Sequence, residues 1–428
     1  MPLSIGTAST DITPPPGLDI AGSLWATQST GTRDPLSCRA LVLDDGTTRA
    51  VLIAIDVIML ERPQVLRARE LIAARTGIPG CNVMIACSHT HAGPATGHYA
   101  ATRWPEAYME ALPRRIADAV VAALSQTMLS VAWGYTQGEE RTLGHYRRIQ
   151  LRNGRVRNSW LLTPDADVVG PAGDIDPAVP IIAFRAASGV QAIVANFACH
   201  ATCSGDGRWS ANYPGYFMAG VARRLGIPDS GVLYTAGAAA NTNPVVTDPV
   251  EFGERLADVV PPLLANITWK ESARLTVREQ WLSLPARHMH AFPFADIAEA
   301  YAPRFSQLNF GKVVKYYADE YVKLIERGPV PVETALQVIA LDVVALIAVG
   351  GELFVELGRE IQRRSPFAET IVVTLANDWI GYIPHRAAFD EGGYETIFGS
   401  QSRLAPEAGE MVVDAAVALL SDAAGTVR

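Results

Sequence analysis

The sequence predicts an α/β protein, with mixed β-sheets flanked by helices in a layered sandwich and a single large domain over 1–428. Three observations carry that expectation. Short apolar runs such as 83–87 and 190–198 have the length and composition of strands buried on both faces. Turn signals join some of them directly: Asp44-Asp45-Gly46 and Ala187-Ser188-Gly189 read as hairpins, so the sheets are partly antiparallel. Between other runs lie segments with apolar residues at helical spacing, the crossovers that parallel neighbours require.

In chain order, 5–12 reads as an opening strand ended by Pro14-Pro15-Pro16-Gly17, and 39–43 with 50–58 as the first hairpin. Residues 63–75 spell an amphipathic helix stopped at Gly77, and 105–126 a second with Pro105 at its start. Val131 opens a strand, Asn153-Gly154 turns a basic hairpin, and 179–185 pairs with 190–198. A helix at 213–225 and a strand at 232–235 follow, then a helix at 249–260 with Asp248 as N-cap, which Pro261-Pro262 ends or kinks. Residues 292–327 read as a Tyr-rich helical insertion whose aromatics serve packing. Strand, turn and strand over 334–349, a helix over 353–364, a strand at 371–375 and a terminal helix over 405–420 complete the chain.

Composition narrows the functional classes. With 428 residues, 49% hydrophobic and 19% charged, the chain can bury a large core. A net charge of −8 without a Lys/Arg cluster gives nucleic acid nothing to bind. No apolar run is long enough to span a bilayer and no signal peptide is visible, so a cytoplasmic location is expected. Five cysteines without CxxC spacing argue against a disulfide framework.

The chemistry concentrates where buried strands end. The run Val83 to Cys87 stops at Ser88-His89-Thr90-His91, which puts two imidazoles two residues apart; on extended chain they share one side. A second apolar run ends at His200, and Glu352 and Tyr382 follow further strand-like runs. Two His, one Glu and one Tyr form a nitrogen/oxygen donor set suited to zinc. Arg147 and Arg148 read on pattern alone as surface charges. Asp56 and Asp378 are candidates to orient the ligand imidazoles. The tiny side chains of Gly237 to Ala240, before Asn241-Thr242-Asn243-Pro244, allow close backbone approach to a ligand or a neighbouring element.

Seven collinear motifs, from Ile5-Gly6-x-Ala8-x-x-Asp11-Ile12-Thr13 through Ser88-His89-Thr90-His91-x-Gly93-Pro94, Asn196-Phe197-Ala198-x-His200, Gly237 to Pro244, Gly351-Glu352 and Asn377 to Tyr382 to Gly393-Tyr394-Glu395, resemble the neutral/alkaline (non-lysosomal) ceramidase family. The resemblance implies a zinc-dependent amidohydrolase holding one Zn²⁺ through His89, His200, Glu352 and Tyr382, with Tyr382 either a ligand or a hydrogen-bond donor. It implies that His91 moves protons beside the zinc and that Arg147, or the adjacent Arg148, lies near the scissile carbonyl. Asn241, Asn243 and Arg148 are the expected substrate contacts. The chain departs from the family at 237–244, where ceramidases carry a Gly-Asp-Val-Ser-Pro-Asn-like segment; the missing serine counts against a serine nucleophile. No G-x-S-x-G is present either. The family's immunoglobulin-like C-terminal domain is not expected.

The expected reaction is hydrolysis of a small or lipid-like amide by metal-activated water. A zinc esterase or lactonase would use the same site, and a catalytically silent metal-dependent binding protein is the alternative from another class. The chain could form a homo-oligomer.

Overall fold

A computed structural model describes residues 2–22, 24–98, 102–203 and 205–425. Eight strands form the larger sheet in the order Val232–Ala236, Gly189–Phe197, Ala178–Ala186, Leu129–Glu139, Leu3–Asp11, Ser37–Asp44, Arg49–Ile55 and Val83–Cys87. Its two outermost pairs are parallel and the rest antiparallel. A second sheet orders Leu275–Leu284, Val332–Leu341, Val344–Val349 and Glu369–Thr374, the last pair parallel.

The pleat explains why these strands read as continuous apolar runs. Along Ser37–Asp44, Cys38, Ala40 and Val42 face one core, while Leu41 and Leu43 face another. Arg49–Ile55 and Val83–Cys87 alternate the same way. The first core is closed by helices Arg62–Thr76, Glu106–Ser125, Asn212–Leu225 and Pro249–Asp258. The second is shared between the two sheets, since Leu41 and Leu52 join Ile339, Leu346 and Val373. On the far side of the small sheet, Val338, Ile347 and Val349 pack against helices Val355–Arg364 and Ala408–Gly425. The molecule is thus four layers deep: helices, sheet, sheet, helices.

Three elements add to the expectation. Residues 292–327 are helical, as expected, and divide into two helices, Phe294–Tyr301 and Gln307–Arg327. The strand Leu275–Leu284 was not legible, because its centre carries Arg278, Glu279 and Gln280 and its Trp281 is 51% exposed. Pro261-Pro262 ends one helix and sits at the start of a short new one, Val260–Leu264, where a missing N–H is harmless. No helix among the described residues is long and apolar enough to cross a membrane.

Candidate active site

His89 lies just past the parallel edge strand Val83–Cys87, and its φ of 62° puts it in the left-handed region. The two histidines are therefore not carried on extended chain, as the spacing alone suggested. The turn at His89 and a parallel bridge from Thr90 to Ala201 bring the His89-Thr90-His91 loop beside the loop that bears His200. The His91 N–H bonds the Ala201 carbonyl at 3.1 Å, pinning the two loops together. Glu352 and Tyr382 arrive on a separate two-stranded sheet, in the segments that follow Val344–Val349 and Glu369–Thr374 of the second sheet. The strands Glu352–Leu353 and Tyr382–Ile383 pair in parallel with Glu352 directly beside Tyr382. Among the described residues, the nitrogens of His89, His91 and His200 lie within 4.8 Å of one another and could hold a metal ion.

Each imidazole has its tautomer fixed by backbone. The Nδ1 of His89 meets the Ile58 carbonyl at 2.8 Å, that of His200 meets the Ala239 carbonyl at 2.7 Å, and that of His91 meets the Gly22 carbonyl at 3.2 Å. A carbonyl can only accept, so every Nδ1 carries the proton and every Nε2 of a neutral ring is bare. The Nδ1 atoms, as the nitrogens turned away from the metal, were expected to find their acceptor in Asp56 or Asp378. That expectation is corrected: Asp56 accepts from the Ser37 backbone and hydroxyl, and Asp378 accepts from the backbone of Arg62 and Trp379.

The bare nitrogens converge on a carboxylate. Glu352 Oε2 is 3.6 Å from His89 Nε2 and 3.4 Å from His200 Nε2, and has no hydrogen-bond donor among the described residues. The other oxygen, Oε1, accepts from Trp379 Nε1 at 3.1 Å. His89, His200 and Glu352 are all 5% exposed or less. Burial, reinforced by the neighbouring Arg147, pushes His200 down to about 4, and burial with the other two rings holds His91 well below the ordinary histidine range. Burial alone would raise Glu352; positive charge at the facing imidazoles, a proton or a metal ion, outweighs it and keeps the carboxylate anionic. Glu352 Oε2, buried against imidazole nitrogens with no donor of its own, calls for a cation there, and this donor set fits a divalent metal.

Arg147 and Arg148 are both buried, at 3% and 0% exposure, which overturns their reading as surface charges. Glu395, itself fully buried, explains this: Oε1 takes Arg147 Nε at 2.8 Å and Oε2 takes Arg148 Nη1 at 3.0 Å. Burial opposes the charge on Arg147, but Tyr382 and Glu395 outweigh it. Its Nη1 donates to His200 Nε2 at 3.1 Å and to Asn243 Oδ1 at 3.2 Å, and its Nη2 to the Tyr382 hydroxyl at 3.2 Å. Arg148 turns the other way, to Glu391 and the Gly392 carbonyl.

A cavity of about 300 Å³ opens onto these groups. His89, His91, His200, Glu352, Arg147, Tyr382 and Asn243 line it, together with an aromatic wall of Trp25, Trp160, Tyr301, Phe305, Trp379 and Tyr394. Asn241 and Arg148, expected to contact substrate, do not line it. The Asn241 side chain is spent within the protein, on Tyr146, Glu356 and the backbone of Val355. Sequence reasoning assigned no role to Glu395, Trp379 or Trp160. Gly393-Tyr394-Glu395 had been noticed as a motif, and a buried acid was the one signal there that could have pointed to the arginine pair.

Neither a family model nor a curated sequence matches the chain. Solved structures do. The crystal structure of neutral ceramidase from Pseudomonas aeruginosa superposes with a TM-score of 0.74 at 19% identity, covering 99% of this chain and 75% of that one. A ceramidase complexed with C2 gives a TM-score of 0.73 at 16% identity over 98% and 75%. The chain has the neutral ceramidase fold. The layered mixed-sheet architecture is therefore common to the neutral ceramidase structures and this chain, as the sequence motifs implied.

Proposed function

We propose that the protein is a ceramidase-like, zinc-dependent hydrolase that cleaves an amide bond. The observation that carries this is that His89 Nε2 and His200 Nε2 both lie within 3.6 Å of the donorless Glu352 Oε2, at the base of a cavity also reached by His91 and Arg147. His89, His200 and Glu352 would hold the ion, and the mixed nitrogen/oxygen set with a neighbouring open space suits a catalytic zinc. When bound, such an ion supplies Lewis acidity, lowering the pKa of water and polarising a carbonyl.

The remaining residues divide the work. His91, partly open to the cavity and neutral, accepts a proton from the attacking water on its bare Nε2 and passes it to the leaving nitrogen. The Gly22 carbonyl holds its ring in the tautomer that leaves Nε2 able to accept. Arg147, held by Glu395, presents its Nη atoms beside Tyr382 toward the developing oxyanion. Because that guanidinium is already fixed, little reorganisation is needed as charge builds up. Asn243, on the cavity wall and bonded to Arg147, is the remaining polar contact for substrate.

The test is metal content of the purified protein and of His89→Ala, with both assayed on a panel of amides and esters. About one zinc per chain, lost in the variant together with amide cleavage, is expected. A wild type that neither contains nor takes up zinc would falsify the assignment.

A further inference from the structure

The strands Leu275–Leu284 and Val332–Leu341 pair antiparallel from Leu284 against Val332 to Leu275 against Leu341. Strands so aligned need a connection of only a few residues. The chain instead leaves the sheet, builds Phe294–Tyr301 and Gln307–Arg327, and returns. These helices have an apolar cluster of their own, in which Ile297, Tyr301, Val313 and Tyr317 meet Leu161 and Ile397. The sheet does not require this excursion; the cavity receives it.

Two of its side chains, Tyr301 and Phe305, line the cavity. Their rings stack at 5.6 Å and 20°, and Phe305 reaches Trp25, from the N-terminal region, at 6.1 Å. The roof is tied down as well as packed. Gln401 accepts from Tyr316 and donates to Tyr317, both on the longer helix, while its carbonyl takes the Tyr382 N–H at 2.7 Å. One buried glutamine thus joins the roof to the strand that carries Tyr382.

We propose that this roof selects the substrate: the site takes compact amides bearing a flat aromatic ring next to the scissile bond, in preference to amides of long alkyl chains, with Phe305 and Trp25 as specificity-determining residues. The proposal rests on the hydrolase reading above. The cavity, about 300 Å³, is at the lower end of small-molecule cavities and is open at its mouth, so a long chain runs out past the aromatic wall instead of packing along it. Aromatic faces favour a ring through offset and edge contacts, on the order of tenfold in binding for two such faces. A long alkyl chain gains no such contact and loses rotamer freedom on ordering.

The experiment measures kcat/KM for the N-benzoyl, N-hexanoyl and N-dodecanoyl amides of 2-aminoethanol with wild type, Phe305→Ala and Trp25→Ala. Wild type is expected to favour benzoyl over dodecanoyl by about tenfold or more, and each variant to narrow or invert that ratio while keeping a cooperative thermal transition. A preference of wild type for dodecanoyl, or a ratio unmoved in both variants, overturns the proposal. If no amide is cleaved, the hydrolase reading fails, and the dissociation constants of the same three amides by calorimetry decide the cavity proposal. Benzoyl binding that is tighter and weakened by the variants supports it; equal or undetectable binding overturns it.

Discussion

Arg147 and Arg148 are neighbours in sequence with separate tasks, and Glu395 is what they share. Sequence pattern assigned both to the surface because nothing local says that a carboxylate 248 residues away will bury them. Replacing Glu395 by Ala leaves two buried guanidinium groups without that partner, and a loss of about 3–5 kcal/mol in unfolding free energy is expected by denaturant titration. The arginines then separate by readout. Arg147→Lys cannot reproduce a planar fork that reaches Glu395, Asn243 and Tyr382 together, so kcat should fall on the order of 10²-fold or more. Arg148→Lys should lower the melting temperature with kcat near wild type; equal losses of kcat would remove the distinction. His91 and His89 separate in the same manner. His91→Ala is expected to retain metal while kcat falls about 10²–10⁴-fold, and His89→Ala to lose the metal itself. Metal analysis beside steady-state rates decides, and metal loss in His91→Ala would make His91 a ligand. The donors themselves were legible, since His89, His200, Glu352 and Tyr382 each end an apolar run. Their carbonyl partners were not, because a backbone oxygen carries no sequence signature.

At the scale of elements, strands buried on both faces were readable as apolar runs, and helices as spaced apolar residues stopped by Gly77 or begun at Asp248. What escaped were features set by distant contacts: the half-exposed strand Leu275–Leu284, the left-handed turn at His89, and the cap of helix Arg62–Thr76. That helix has no side-chain cap from its own Glu61; Asp378, from the loop after Glu369–Thr374, accepts the Arg62 N–H at 3.0 Å instead. Burial raises the Asp378 carboxyl to about 6, against the partial relief of the Trp379 N–H and the Arg62 charge. The folded protein therefore binds this proton more tightly than the unfolded chain does. Its contribution to stability is largest below about pH 4 and declines as pH rises to about 6, by about 3 kcal/mol in all. Asn keeps the accepting oxygen without the ionisation, so Asp378→Asn should gain on wild type through that window. Unfolding free energies of the two proteins at pH 4 and pH 7 test this, and a difference that does not change with pH sinks it.

Across the whole molecule, the site sits where the two sheets meet. His89 and His200 follow strands of the larger sheet, whereas Glu352 and Tyr382 follow the turn out of the smaller one. The four-layer arrangement was foreseeable as a mixed-sheet sandwich. Which strand ends face each other was not, because period-two patterning says which faces are buried and is silent on how two sheets dock. That docking gives a bound cation a structural consequence. His89, His200 and Glu352 present acceptors to one another across the junction, so an ion among them replaces mutual repulsion by shared attraction between the halves of the sandwich. A ligand that binds only the folded state stabilises it by about 2.7 kcal/mol at a hundred times its dissociation constant. Removing the metal with a chelator should therefore lower the melting temperature by at least a few degrees, roughly as that free energy predicts for a large domain, and added zinc should restore it. His89→Ala, lacking one of the three donors, should already melt low and respond to neither treatment. A wild type that surrenders its metal with no change in melting temperature would show that the ion serves chemistry alone, with the junction held by its apolar core.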